Sequence, residues 1–144
     1  MNYDFLPLVE HSFTHGKEQI LSNFIVSNKA KENLIYPVSF SLLQTTFDYF
    51  IEGNNQDYYE IRYVLEGECY LKYNGRSYLL KKGEGCLIDC RKKYFYHSSN
   101  QHWVSTCLRF NGSPAYSFIK AYLLSGNIKF TDEMFSNFEP LQMH

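Results

Sequence analysis

Glu60 and Arg62 are the residues of this chain best placed by type and spacing to do chemistry. They stand two apart in a run that alternates like a strand, so they share one strand face. Buried together, a carboxylate and a guanidinium form an ion pair or orient a polar ligand, because either charge alone is costly to bury. Acid–base catalysis is the competing use, through Glu60 with Arg62 or with the phenol of Tyr94. No serine or cysteine stands at a suggestive spacing from a histidine, so a nucleophile–base pair has no candidate. Among the five histidines, His11 and His15 are four apart and can share a helix face, but a third ligand is missing near them. His97 stands three residues after Tyr94, His102 falls in an expected loop, and His144 is terminal.

The four cysteines, Cys69, Cys86, Cys90 and Cys107, include no CxxC pair. They read as reduced, small hydrophobes; a Cys86–Cys90 disulfide is compatible with spacing and has no other support. The opening MNYDFLPLVEHSF lacks the basic start and long apolar run of a secretory leader, and no window is long enough for a membrane span. A cytoplasmic protein with no membrane partner is the expectation. A net charge of −1 gives no global field to attract nucleic acid, and Lys81-Lys82 and Arg91-Lys92-Lys93 are short clusters at strand ends. The 13 Tyr and 12 Phe suit strand faces and the walls of a half-wet pocket.

The elements that must position these residues are mostly strands, and 144 residues suffice for one domain with a real core. Phe5, Leu6, Leu8, Val9 and Phe13 make the first stretch too apolar for a free tail. From Gly16 to Asn33, Ile20, Leu21, Phe24, Ile25 and Ala30 recur at a spacing that predicts a short helix. Strands follow over Val38–Leu43 and Thr45–Ile51, then Tyr58–Leu65, a turn at Glu66-Gly67, and Glu68–Tyr73. Asn74-Gly75 between two alternating runs predicts a type I′ hairpin. Further strands are expected at Arg76–Leu80, Cys86–Asp89, Tyr94–Ser98 and Trp103–Phe110, with His102 in a loop. Ser113-Pro114 reads as an N-cap and first helical residue, and Gly126 as the end of that helix. Thr131-Asp132-Glu133 reads as one more helix start. The fold class expected is mainly β: an antiparallel β-barrel or sandwich with flanking α-helices.

The barrel segment resembles a cupin. Glu60 to Gly67 matches the first cupin motif, a glutamate followed by six residues and a glycine. Gly83, Asp89, Arg91 and Tyr94 take the spacing of the second motif with three of four identities changed. More closely, the pieces YVLEGE, NG, LLKKGE, LIDCR and RFNGS occur in the order and separations of the N-terminal domain of AraC-type transcriptional regulators, over roughly residues 35 to 128. That resemblance implies a cupin-like barrel (a double-sheet jelly roll) that binds a small effector, often a sugar, and forms a homodimer. DNA would be contacted only through a separate C-terminal domain that is not in this segment. The corresponding organisation is an N-terminal arm and short helix at 1–34, a barrel at 35–112, and C-terminal helices at 113–144 that begin a connector.

Measured against the cupin pattern, the metal ligands have gone. The positions for two first-motif histidines hold Asn54 and Gln56, or Gly53 and Asn55, and the second-motif histidine is Tyr94, so only Glu60 survives. A lone carboxylate with amides and a phenol does not hold a first-row metal, and neither a metal nor another cofactor is expected. If Glu60 faces inward as the cupin glutamate does, so do Tyr58, Arg62 and Val64, with Tyr59, Ile61, Tyr63 and Leu65 packed under helices. Tyr94 and Tyr96 extend the inward set. On the last strand Trp103, Ser105, Cys107 and Arg109 form one face and Val104, Thr106, Leu108 and Phe110 the other, more apolar one, which should meet the core and leave Ser105 and Cys107 toward the pocket. The candidate ligand site is therefore Tyr58, Glu60, Arg62, Tyr94, Tyr96, Ser105 and Cys107. The resemblance also puts the dimer contact on the helix from Ser113, with Tyr122 and Leu124 as candidates if exposed, packing of that face on the barrel being the alternative, and lets residues 4 to 13 fold over a bound ligand. A non-catalytic sensor is the favoured reading; a stand-alone cupin enzyme such as a sugar isomerase or epimerase, and a ligand-free dimerisation scaffold, are the competitors.

Overall fold

The computed structural model describes residues 9–13, 16–45 and 49–131. These form nine strands and two helices in the order β1 (Val9–Phe13), β2 (Gly16–Asn23), α1 (Asn28–Asn33), β3 (Tyr36–Thr45), β4 (Phe50–Gly53), β5 (Tyr59–Tyr73), β6 (Arg76–Lys81), β7 (Glu84–Asp89), β8 (Tyr94–Asn111), α2 (Ser113–Leu124) and β9 (Lys129–Thr131). Every strand pairing is antiparallel. The path of hydrogen-bonded neighbours is β1-β2-β3-β8-β5-β7-β9, with β4 added on β8 and β6 added on β5.

The two long strands make this sheet double-layered. The first part of β5, Tyr59–Tyr63, pairs with β7, and its last part, Glu68–Tyr73, pairs with β6. Likewise β8 meets β4 through Tyr94–His97 and β3 through Val104–Asn111. Between the two parts, register shifts at Val64/Glu66 and Gly67/Cys69 bend the β5–β8 ribbon, as bulges do. Side chains from both layers then meet in one core: Val64, Cys86, Ile88 and Trp103 from one, Cys69, Leu71, Leu80 and Tyr96 from the other.

The Glu66-Gly67 turn expected from sequence is therefore a bend inside one continuous strand, and His102 lies within β8 rather than in a loop. Gly67 has φ +70, and a Cβ there would run into the carbonyl oxygen of His102 on the paired strand. Gly67→Ala is accordingly expected to lower the unfolding free energy by at least about 2 kcal/mol, read from urea denaturation; a change within experimental error would mean the bend does not depend on this close approach. The Asn74-Gly75 hairpin is present as expected, with Tyr73 opposite Arg76 and φ of 53 and 78 at the two turn residues.

The N-terminal region departs from its predicted helix. Gly16–Asn23 is a strand paired with β3, and the helix is confined to Asn28–Asn33, capped where the Ser27 hydroxyl accepts from the Ala30 N–H at 3.2 Å. Ile20 and Leu21 fall in the strand, while Phe24 and Ile25 fall in the link and face solvent. Asn23, Ser27 and Asn28 weaken the helix, and the free edge of β3 offers the backbone a better use. His11 lies in strand β1 rather than in a helix; His15, the middle of the strand expected over Thr45–Ile51 and the helix start expected after Thr131 lie outside the described residues.

Helix α2 closes the outer face of the sheet. Ala115 and Ile119, buried, and Leu123, partly buried, stand four residues apart and form its inner stripe against Tyr59, Ile61, Leu87, Leu108 and Phe110. The inward and outward sets read from alternation are thus separated at Tyr59 and Ile61 as expected. Ser113 does not cap this helix: the capping position is Gly112, and the Ser113 hydroxyl donates to the Glu32 carbonyl at 2.9 Å, tying α2 to α1.

Candidate functional site

Register explains how the inner face is assembled. Glu60 sits between Ile88 on β7 and Arg109 on β8, Arg62 between Cys86 and Cys107, and Val64 opposite Ser105. On the far side of β8, Arg109, Cys107 and Ser105 face Ser39, Ser41 and Leu43 of β3. Residues directly opposite in an antiparallel pair share a face, so one surface carries a carboxylate, two guanidiniums, thiols and hydroxyls.

The carboxylate is the hub. Glu60 is completely buried and Arg62 is 2% exposed. Arg62 grips Glu60 through Nε to Oε2 at 3.4 Å and Nη2 to Oε1 at 3.3 Å. The Tyr96 hydroxyl donates to Oε2 at 2.8 Å, the Cys107 thiol to Oε1 at 3.1 Å, and Arg109 Nε to Oε1 at 3.4 Å. Arg62 also donates through Nη1 to the Ser105 hydroxyl at 3.1 Å and lies 4.7 Å over the Tyr96 ring. Ser105 accepts from the Trp103 indole N–H at 3.2 Å as well, which locks the largest fully buried side chain to the cluster.

Burial alone would raise the pKa of Glu60. The guanidiniums of Arg62 and Arg109, with hydrogen bonds from Cys107 and Tyr96, outweigh it and hold the carboxyl at about 2. Around this fixed negative charge the acids of the site are suppressed. Burial first, then neighbours that include Glu60, push up the Cys107 thiol and the Tyr96 phenol. Cys86 is pushed up to about 12 by burial, eased by its contact with Tyr96. All four cysteines are buried and free, so the Cys86–Cys90 disulfide is not formed. Among the described residues no three His, Cys, Asp or Glu side chains converge as metal ligands would.

Of the seven residues expected at the site, five join this network: Glu60, Arg62, Tyr96, Ser105 and Cys107. Tyr58 lies beside it at the edge, its ring 5.1 Å from the Arg109 guanidinium. Tyr94 is buried but makes no hydrogen bond to Glu60; its hydroxyl lies against Gly53, where a Cβ would collide with it. The phenol that reaches the carboxylate is Tyr96, two residues further along the same face. Alternation puts Arg109 on the face of Ser105 and Cys107, but the expected site did not include it, nor did it include Ser41. The Ser41 hydroxyl is buried with no hydrogen-bond partner among the described residues, beside Cys107 across the β3–β8 pairing. Only the long-range register places either residue beside Glu60 or Cys107. Of the helix candidates, Leu124 is 77% exposed, whereas Tyr122 is half-buried.

No curated protein sequence matches this chain. Among solved structures it is similar to the Cupin_2 domain of an XRE family transcriptional regulator from Enterobacter cloacae, with 16% identity and a TM-score of 0.54, covering 67% of this chain and 96% of that one. It is similar also to KdgF from Halomonas sp., with 8% identity and a TM-score of 0.56 over 75% of this chain and 92% of that one. An HTH_3 family transcriptional regulator from Vibrio cholerae matches at 13% identity and a TM-score of 0.53, over 66% of this chain and 50% of that one. At such identities these likenesses establish the cupin fold. The model of the AraC-like ligand binding domain matches residues 44–128, a span that holds the β5–β8 ribbon, the Glu60 cluster and α2, and the chain belongs to that family.

Proposed function

We propose that this chain is the ligand-sensing and dimerisation domain of an AraC-type transcriptional regulator, taking a small polar effector, sugars foremost, inside a metal-free barrel. The arm and first helix (1–34), the barrel (35–112) and the C-terminal segment (113–144) are its parts. In the cytoplasm, the effector would favour one arrangement of barrel or dimer, and a separate DNA-binding domain would read that bias.

One observation carries the reading: on the barrel's inner face a completely buried carboxylate, ionised near neutrality, takes one of its two longest donor contacts from a side chain that is itself partly exposed. Among its five donor contacts the two longest, both 3.4 Å, are from Arg62 Nε and Arg109 Nε, and of these two side chains Arg109 is the exposed one at 21%. A ligand hydroxyl can replace Arg109 on Oε1, with Arg109 and the Tyr58 ring closing over it. The unpartnered Ser41 hydroxyl supplies a second polar anchor, since buried polar groups ordinarily have a partner. A carboxyl held at about 2 is poorly matched to proton transfer near neutrality, which favours recognition over a sugar isomerase or epimerase. For the dimer contact, exposed Leu124 on α2 is the stronger of the two candidates and half-buried Tyr122 the weaker.

A thermal-shift series with D-xylose, D-galactose and D-galacturonate tests the site. At least one should raise Tm, by about 2.7 kcal/mol of stabilisation at a hundredfold excess over Kd. Ser41→Ala should leave the unliganded protein as stable as before, because the hydroxyl it removes has no partner, yet weaken that shift, as should Arg109→Gln. No shift with any of the three, or a shift unchanged in both variants, would overturn the assignment.

A further inference from the structure

A large cleft lies outside the barrel, between α2 and the tip of the β5–β6 hairpin. It measures about 580 Å³ and contains none of the Glu60 cluster. That volume is in the usual range for a small-molecule site. Its floor is apolar, made by Ile119 and Leu123 of α2 and by Ile128 beyond it. Its walls are aromatic: Tyr59, Tyr78 and Tyr116 all line it.

Its charge is one-sided. Arg76, Lys92 and Lys120 stand around the cleft, and among the described residues Asp89 is the only acid that lines it. The Asp89 carboxylate is already taken, accepting from the Arg91 backbone N–H at 3.0 Å and from Arg91 Nη1 at 3.1 Å. Among the described residues, no carboxylate pairs with Arg76, Lys92 or Lys120; Lys120 lies 5.5 Å over the Tyr116 ring. A buried donor adds to this. Tyr73, 4% exposed, accepts the Asp89 backbone N–H at 3.2 Å, and its own hydroxyl proton has no acceptor among the described residues.

We infer that this cleft is a second ligand site, built for a small organic anion with a flat aromatic body, an aromatic carboxylate being the simplest member. The ring stacks among the tyrosines over the Ile119–Ile128 floor. The carboxylate turns to Arg76 and Lys92 at the hairpin, where Tyr73 can donate to it. The occupant rests directly on α2, so it bears on the same helix that the proposed dimer uses. The site does not depend on the barrel reading, since it shares no residue with the Glu60 cluster.

Calorimetric titration of the whole chain with 2-naphthoate tests it, with neutral 2-naphthalenemethanol as the comparison. The acid should bind saturably and about tenfold more tightly than the alcohol, and Arg76→Gln/Lys92→Gln should cost the acid about the same factor. Both positions are exposed, so the variant is expected to fold. Arg109→Gln, at the barrel cluster, should leave naphthoate binding within about twofold. The inference is overturned by absence of saturable binding, by equal affinity for acid and alcohol, or by an affinity unchanged in the double variant. Loss of naphthoate binding in Arg109→Gln alone would place the anion in the barrel and overturn it as well.

Discussion

Arg62→Met is expected to lower the unfolding free energy by about 3 kcal/mol, the largest effect of any substitution considered. Methionine fills the stem of arginine but removes both contacts to Glu60, the donor to Ser105 and the cation above the Tyr96 ring. Glu60, completely buried, keeps its charge or takes a proton at a cost. Arg109, Tyr96 and Cys107 remain as donors, which sets the loss at the lower end of what breaking a buried pair costs. Removing the stranded charge too should recover most of it, so Glu60→Gln/Arg62→Met is expected to be more stable than Arg62→Met alone. Urea denaturation of the two single variants and the double variant gives the coupling. If the three losses simply add, the two residues do not act as a pair, and the account of the barrel interior fails with them.

How much of this cluster was legible in the sequence depends on how local each signal is. Period-2 alternation from Glu60 is a property of a single strand, and it correctly put Arg62 and Val64 on the inner face and Tyr59 and Ile61 under α2. The hairpin at Asn74-Gly75 is equally local. Which residue on one strand meets which on another is not. Arg109 lies opposite Glu60 and Ser41 opposite Cys107 by pairings that span dozens of residues, and no spacing rule contains them. Tyr94 shows the limit of motif spacing, which selected it, whereas the phenol that reaches the carboxylate is Tyr96, placed on the same face by alternation. The N-terminal strands were misread for a related reason. Gly16–Asn23 has a weak apolar period of its own, and the edge of β3 decides its conformation.

The acid dependence of stability follows from the same carboxylate. Glu60 has its folded pKa lowered from 4.5 to about 2, against a burial effect that acts the other way. A depressed folded pKa means that the unfolded chain binds the proton more readily, so stability rises with pH across the interval between the two values. The contribution is complete above about 4.5 and is lost as pH falls toward 2. Its size is on the order of 3 kcal/mol. Glu84 is shifted down as well, its burial outweighed by the Lys81 N–H and by Lys129, so the raw acid limb is not due to Glu60 alone. Comparing urea midpoints of the parent and Glu60→Gln from about pH 5 to about 2 isolates it: the parent should fall more steeply, and the two curves should converge as the acid end is reached. Parallel curves would mean that Glu60 titrates alike in the folded and unfolded chain, which its five donor contacts forbid. Arg62→Met supplies a second check through the same group. With only Arg109 left as a cation on Glu60, the folded pKa moves back toward its ordinary value, and the acid transition of that variant should begin at higher pH than in the parent.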